Sequence, residues 1–378
     1  MKSIAILGLI DFENWSNKQS LSMGGSSGVI KSILPYLAAD SIYLLGITSD
    51  KKKLNVLKRL ENNINYLPII YTPSNTIIPT RLLAFWYSRE INTILDQYQI
   101  GSVYSHAEEM SYWVKPGRPI VYHMHGSSNA LSIAKNKFHR NKLFQNLWEF
   151  ARTKNIKKAT KIIAIDRQCY NLTKKLHCEG KTLILPNFVD TNIFFKDTSK
   201  SEILNKIHQN ILLFVGRIEE VKGLELFVDT VIELNRREAD WKGVFVGGGT
   251  YESNIKNYIT SKEAENLMYF TGPVFEQSEL RRIYNQSSVL MIASYTEGIP
   301  MVILESLSCC TPVVSTNVGG IKEFIEDNET CYTNDSRDPQ VYAELVLAIH
   351  KEKNHFENVD FNFSASKSAE KLNEILSL

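Results

Sequence analysis

The sequence predicts an α/β protein made of two Rossmann-like units. Three observations lead there. Short apolar runs alternate with longer helical patterns, the signature of parallel α/β architecture. The alternation starts afresh near residue 211. Each half opens with a strand that leads through a glycine-bearing loop into a helix, and such units hold their ligands beyond the carboxyl ends of the strands.

Apolar runs at 3–9, 42–47, 68–71, 101–105, 119–124 and 161–165 are expected as the strands of the first half. Those of the second are expected at 211–215, 243–247, 267–270, 288–292 and 312–315. The boundary falls in Pro186-Asn187 through about Asn210, where proline opens the stretch and a polar Lys196-Asp197-Thr198-Ser199-Lys200-Ser201 patch follows. The expected domains are 1–186 and 187–360. Residues 361–378 should carry a terminal helix, with Ala369, Leu372, Ile375 and Leu376 as an apolar stripe that packs back on the first domain.

The 378 residues suit two cores of about 150–200 residues each. A hydrophobic content of 43% with 22% charged residues argues against large disordered regions, and a net charge of +2 gives no global case for binding nucleic acid. Cys169, Cys178, Cys309, Cys310 and Cys331 are odd in number and lack zinc-type spacing, which fits a reducing compartment. The apolar opening Ile4-Ala5-Ile6-Leu7-Gly8-Leu9-Ile10 is stopped by Asp11 and Glu13 without a small-residue cleavage site, so it reads as a buried first strand. No apolar run approaches the roughly 20 residues that span a bilayer. The expected location is cytoplasmic, with a peripheral position on the inner face of the plasma membrane as its extension.

The strongest constellation is Glu297-Gly298-Ile299-Pro300-Met301-Val302-Ile303-Leu304-Glu305, which follows the strand Val289-Leu290-Met291-Ile292 and opens a helix. Gly298 and Pro300 keep Glu297 outside that helix, and Glu305 lies about one turn inside it. A helix N-terminus between them suits a diphosphate, and both carboxylates can accept hydrogen bonds from sugar hydroxyls. Taken singly, each glutamate also reads as an ordinary surface charge. In Phe214-Val215-Gly216-Arg217-Ile218-Glu219-Glu220-Val221-Lys222-Gly223, a strand ends at Gly216 and two cations bracket the loop. Arg217 and Lys222 there can neutralise a pyrophosphate, or pair cheaply with Glu219 and Glu220. The loop lacks the Walker pattern of glycines.

These residues resemble the donor half of glycosyltransferase family 4, of GT-B fold. That family shows a Gly-Arg…Lys-Gly segment and two glutamates separated by seven residues. Val246-Gly247-Gly248-Gly249 resembles its glycine turn, and Phe270-Thr271-Gly272-Pro273-Val274 its base-contacting loop. Thr311-Pro312-Val313-Val314, Val318-Gly319-Gly320-Ile321 with Glu323, and Pro186-Asn187-Phe188-Val189-Asp190 fit as well. The resemblance implies two Rossmann-like domains facing a central cleft. Arg217 and Lys222 would stabilise the departing diphosphate, Glu305 would hold the ribose, and Glu297 with the amides after it would hold the donor sugar. Gly216, Gly248, Val274, Gly298, Ile299, Pro300, Met301 and Val302 complete the implied donor site. With two cations present and no Asp-x-Asp triplet, no metal and no cofactor are expected. Three departures stand out: Phe188 in place of glycine, Cys310 in place of glycine before Thr-Pro, and Ile299-Pro300 in place of a frequent Phe-Gly pair.

In the first half, Ser22-Met23-Gly24-Gly25-Ser26-Ser27-Gly28 resembles the family's N-terminal glycine loop, which places Gly24 and Gly25 near the donor phosphates; as a lone turn it also reads as a flexible loop. Strand alternation sends His123 and His125 of Val121-Tyr122-His123-Met124-His125-Gly126 to one side. His125-Gly126 resembles the position whose histidine contacts the transferring sugar, and His106 is a weaker candidate. Residues 135–161 interleave many lysines and arginines with aromatics. Lys154, Lys157 and Lys158 there belong either to a surface docking on anionic lipid near the acceptor or to a solvated helix face.

The implied reaction moves a hexose-type sugar, with retention, from a UDP- or GDP-sugar to a glycan or lipid-linked acceptor in bacterial surface polysaccharide or glycolipid synthesis. A GT-B nucleotide-sugar epimerase and a non-catalytic nucleotide- or glycan-binding subunit are the alternatives.

Overall fold

The computed structural model describes residues 3–13, 25–74, 76, 78–126, 142–237, 240–321, 331–352 and 363–376. The chain divides into two compact units, Met1–Pro186 with Ser366–Leu378, and Asn187–Ala365.

The first unit carries β1 (Ser3–Leu7), β2 (Ser41–Thr48), β3 (Lys58–Arg59), β4 (Ile64–Tyr71), β5 (Ser102–Ser105), β6 (Ile120–Met124), β7 (Lys161–Ala164) and β8 (Thr182–Ile184). They form one sheet in the order β3-β4-β2-β1-β5-β6-β7-β8, parallel throughout except for β3, which runs antiparallel on the edge. The terminal helix Ala365–Leu376 belongs to this unit, burying Ala369, Leu372 and Leu376. Asn373 ties it down by accepting from the Ala38 amide at 2.8 Å and donating to the Tyr36 carbonyl at 3.0 Å.

The second unit carries β9 (Asn210–Val215), β10 (Trp241–Val246), β11 (Met268–Gly272), β12 (Val289–Ile292), β13 (Val313–Thr316) and β14 (Cys331–Asn334), in the order β11-β10-β9-β12-β13-β14 and all parallel. Its strands are near-continuous apolar runs because helices cover both faces of a parallel sheet. Ile211, Leu212 and Leu213 are at most 1% exposed. The helix Leu224–Arg237 buries Leu224, Phe227, Val228, Val231 and Leu234 at helical spacing, and Arg236 and Arg237 sit at its negative end. Phe245 stacks flat on Phe270 with centroids 4.5 Å apart and meets Phe227 edge-on at 4.8 Å.

Every expected strand is present. The three unforeseen ones lie at or near sheet edges: β3 is two exposed charged residues, β8 is three residues ending in the exposed Ile184, and β14 is a mostly polar Cys-Tyr-Thr-Asn. Such strands need little apolar content, so their pattern is faint. Packing explains the first of the three departures. Phe188 is fully buried. Cys310 adopts φ +56, where its amide and that of Thr311 close the end of the helix Met301–Ser308 on the carbonyls of Leu307 and Ser306. A glycine there would take that left-handed geometry without strain, at a saving of about 1 kcal/mol.

Glu109, in the short helix Glu108–Ser111, is buried, with Arg81 Nε 3.5 Å away and no hydrogen-bond partner for Oε1. Burial pushes its carboxyl up to about 7 from the usual 4.5, against the pull of Arg81. The folded protein therefore holds a proton that the unfolded chain releases, and stability falls as pH rises from about 4.5 to about 7, by roughly 1–3 kcal/mol. Glu109→Gln is expected to flatten this slope and raise the melting temperature at pH 8, as read from thermal melts at pH 5.5 and pH 8.

Candidate functional site

In the second unit the chain leaves β9, builds β10 and β11 on one side, then returns to the other side of β9 as β12. This reversal is where open α/β sheets bind ligands. The loops after β9 and β12 meet there. Lys222 Nζ donates to Glu297 Oε1 at 2.5 Å, and Ser294 Oγ donates to the same oxygen at 2.6 Å. Lys222 and Glu297 have only 20% and 14% of their side chains exposed, so the pair is largely desolvated and well fixed. Ser294 is held in turn, its carbonyl accepting from Thr316 Oγ1 at 2.7 Å.

Glu297 lies outside the helix Met301–Ser308, as expected, and Glu305 one turn within it. The N-cap is Pro300, no side chain caps the start, and the first turn carries no acidic residue. The Ile303 amide closes back on the Pro300 carbonyl at 3.2 Å, and the Met301 and Val302 amides ahead of it stand at the positive end of the helix. Asn187 Nδ2 donates to the Ile299 carbonyl at 2.7 Å and so anchors the approach to the helix. Glu305 Oε2 accepts from the Tyr284 hydroxyl at 2.8 Å. Burial raises its carboxyl to about 7, and the tyrosine hydrogen bond works in the opposite direction.

Gly319 is a fixed part of this loop cluster. Its φ is +61, and a Cβ there would stand 1.7 Å from the Glu297 carbonyl oxygen. Gly216 follows β9 directly with φ +151, its amide donating to the Val246 carbonyl, and the Gly248 carbonyl accepts from the Ile218 amide at 3.0 Å. Gly298, Met301, Val302 and Val274 lie in the same set of strand-end loops and helix starts.

Arg217 behaves differently from Lys222. Its guanidinium is 56% exposed and donates to Glu219 at 2.7 Å, one of the two pairings open from the sequence. Lys222 pairs instead with a carboxylate 75 residues away, which no local pattern announces. Ser294, Tyr284 and Asn187 escaped sequence reasoning as site groups for the same reason: their relevance is set by contacts across the fold.

In the first unit, His123 and His125 lie on one side of the chain, their rings stacked 4.7 Å apart at 8°. His106, from the end of β5, shares a 2.7 Å hydrogen bond between its Nδ1 and His125 Nε2, while Tyr104 shares its hydroxyl with His123 Nδ1 at 2.6 Å. Burial lowers all three imidazoles, His125 to about 4, and neighbouring imidazoles add to the effect on His106 and His123. They are neutral near pH 7. Gly24 lies outside the described residues, as does Glu323, and Gly25 starts the helix Gly25–Ile33.

The basic stretch is only partly a surface. Residues 135–141 lie outside the described part. In the helix Lys142–Lys158, Lys158 Nζ is turned inward to the carbonyls of Ser111, Tyr112 and Val114 at 2.5, 2.8 and 3.0 Å, so its charge caps a neighbouring turn and is withdrawn from any lipid-facing role. Arg152 is buried beside Glu108. Lys154 lies over the Tyr112 ring at 4.4 Å, and Lys157 is exposed.

Comparison with known proteins bears on this arrangement. The model for "Glycosyltransferase Family 4" matches residues 23–193, and that for "Glycosyl transferases group 1" matches residues 195–364. The chain belongs to glycosyltransferase family 4. It is 28% identical over 174 residues to a D-inositol 3-phosphate glycosyltransferase of Paenarthrobacter aurescens, covering 44% of this chain and 42% of that one. The chain spans about half or less of the curated relatives it matches, from 34% to 54% of their length. Among solved structures it is similar to sucrose-phosphate synthase from Thermosynechococcus elongatus, with a TM-score of 0.76 at 14% identity, covering 100% of this chain and 94% of that one. It is also similar to Anabaena HepE in complex with UDP and glucose, with a TM-score of 0.68 at 16% identity and coverage of 100% and 97%. These likenesses show the GT-B fold. Among the described residues, no helix is long and apolar enough to cross a membrane.

Gly319→Ala is expected to cost about 2 kcal/mol or more, because the left-handed backbone and the blocked space both resist a side chain. Thermal melting measures that loss.

Proposed function

We propose that this family 4 protein is a retaining glycosyltransferase that moves a hexose-type sugar from a UDP- or GDP-sugar to a glycan or lipid-linked acceptor. The observation that carries the reading is the fixed Lys222–Glu297–Ser294 cluster beside an uncapped helix start at the sheet reversal. The HepE complex with UDP and glucose adds support for a nucleotide-sugar donor.

The diphosphate of the donor rests on the start of the Met301–Ser308 helix, with Lys222 against it and the exposed Arg217 fork closing from solvent. Breaking the anomeric C–O bond sends its electron pair to the diphosphate oxygen. Charge grows there during the reaction, so a cation already held in place stabilises the transition state more than the ground state. The acceptor hydroxyl oxygen forms the new bond to the anomeric carbon on the face the diphosphate leaves, and its proton passes to a phosphate oxygen. Glu297 and the amides after it accept and donate to the sugar hydroxyls. Glu305 accepts from the ribose. The chemistry asks for no metal. A pathway of bacterial surface polysaccharide or glycolipid synthesis, with the acceptor presented at the inner membrane face near Lys154 and Lys157, completes the proposal.

Hydrolysis and transfer assays with UDP- and GDP-hexoses test it. Replacing Arg217 and Lys222 together by alanine is expected to lower turnover by about 10²–10³-fold. Unchanged turnover would overturn the donor-site reading, and an inverted product anomer by NMR would overturn retention. Ribose recognition needs the Glu305 carboxylate, so nucleotide affinity should fall as pH drops below about 7, by up to about tenfold per pH unit. Glu305→Gln should remove that dependence in calorimetric titrations.

A further inference from the structure

Arg337 stands in the turn between β14 and the helix Pro339–Lys351 and plays no part in the sequence motifs. Its guanidinium joins the two loops that make the cation–carboxylate pair. Nη1 donates to the Ala293 carbonyl at 3.0 Å, at the end of β12, and Nη2 donates to the Gly223 carbonyl at 3.4 Å, next to Lys222. The same group lies over the Tyr295 ring, its guanidinium carbon 3.9 Å from the centroid, and the Tyr295 amide donates back to the Val221 carbonyl at 2.9 Å. The turn that carries Arg337 is itself tied: the Ser336 amide donates to Asn334 Oδ1 at 2.7 Å, and the Asp338 amide to Ser336 Oγ at 2.9 Å. Gly223 makes room for all of this. With φ +58, any Cβ on it would lie 2.3 Å from both the Ala293 oxygen and Arg337 Nη2.

We infer that Arg337 is a positioning residue for nucleoside diphosphate binding, acting through Lys222 by clipping the 221–223 loop to the 293–297 loop. Without the clip, Lys222 keeps its partner Glu297, but the two backbone segments lose a bridge whose ends are held by two different nitrogens of one planar fork, a geometry that the single nitrogen of a lysine does not reproduce. The inference rests on the donor-site reading above and deepens it.

The test is calorimetric titration of UDP, GDP and ADP into the full chain and its variants, with a thermal melt of each. Arg337→Ala is expected to weaken the nucleotide that binds by about tenfold, with little change in melting temperature because the clip is on the surface. Arg337→Lys should lose as much, since it keeps the charge and not the bridge. Tyr295→Phe should bind as the natural chain does, and Tyr295→Ala should lose part of the affinity. In a Lys222→Ala background, Arg337→Ala should have no further effect, the coupling expected when one residue works through another. Recovery of affinity by Arg337→Lys would overturn positioning in favour of simple charge attraction. Losses that add in the double variant, or a lowered melting temperature with unchanged affinity, would also overturn it. Failure of the donor-site reading looks different: no diphosphate binds the natural chain, or Lys222→Ala binds as well as it does.

Discussion

The second unit is organised around one contact, the ammonium of Lys222 on the carboxylate of Glu297. Neither side chain could be held so closely by its own loop. Their strands β9 and β12 are neighbours in a parallel sheet, with Leu212 opposite Val289 and Leu213 opposite Leu290, so both loops leave the sheet at the same edge. A pair this far out of water has paid much of its desolvation before any ligand arrives, and a hydroxyl from Ser294 shares the load. The result is a cation whose position is set by the fold. An exposed lysine would have to be ordered afresh each time an anion bound.

The two cations of the loop after β9 thereby divide into a fixed one and a loose one. Lys222 is enclosed, whereas Arg217 lies mostly in solvent on a two-residue-distant glutamate. Surface pairs of the second kind hold by a few tenths of a kcal/mol to about 1 kcal/mol, so Arg217 can leave Glu219 at little cost. The histidine group of the first unit shows the opposite use of burial. Three stacked imidazoles driven to the neutral form contribute hydrogen bonds without charge, and His106 sets the direction of the His125 ring.

The sequence made the two Rossmann-like units plain because parallel strands buried on both faces leave unmistakable apolar runs, such as Ile211 to Val215. It also placed Glu297 before the helix and Glu305 inside it, since Gly298 and Pro300 act locally on the backbone. Partners that depend on tertiary neighbours were beyond it. Tyr284 beneath Glu305 and Arg337 across Gly223 carry no local signature, and the inward turn of Lys158 is invisible in a charge count that treats every lysine as solvated. The histidine side assignment succeeded for the same reason the lysine one did not. Strand alternation is a strict period of two, whereas the long lysine stem lets its ammonium travel to whichever carbonyls lie near.

The departure at Ile299-Pro300 shows how such local and distant constraints combine. Ile299 is only 5% exposed, so the side chain that replaces a frequent phenylalanine serves packing and does not line an open surface. Its carbonyl accepts from Asn187, a residue at the other end of the unit's sequence, which fixes the peptide just before the helix. Pro300 then sets φ at −67 at the N-cap, where its missing N–H leaves no helical bond unmade. Chain stiffness from proline and a tether from asparagine together do what a flexible Gly at that point could not: they aim the helix start. The Ile303 amide closes back on the Pro300 carbonyl at 3.2 Å, and the Lys222–Glu297 pair stands just ahead of the same helix. Residue 299 thus gives its carbonyl to the approach that leads into the helix and its side chain to the core.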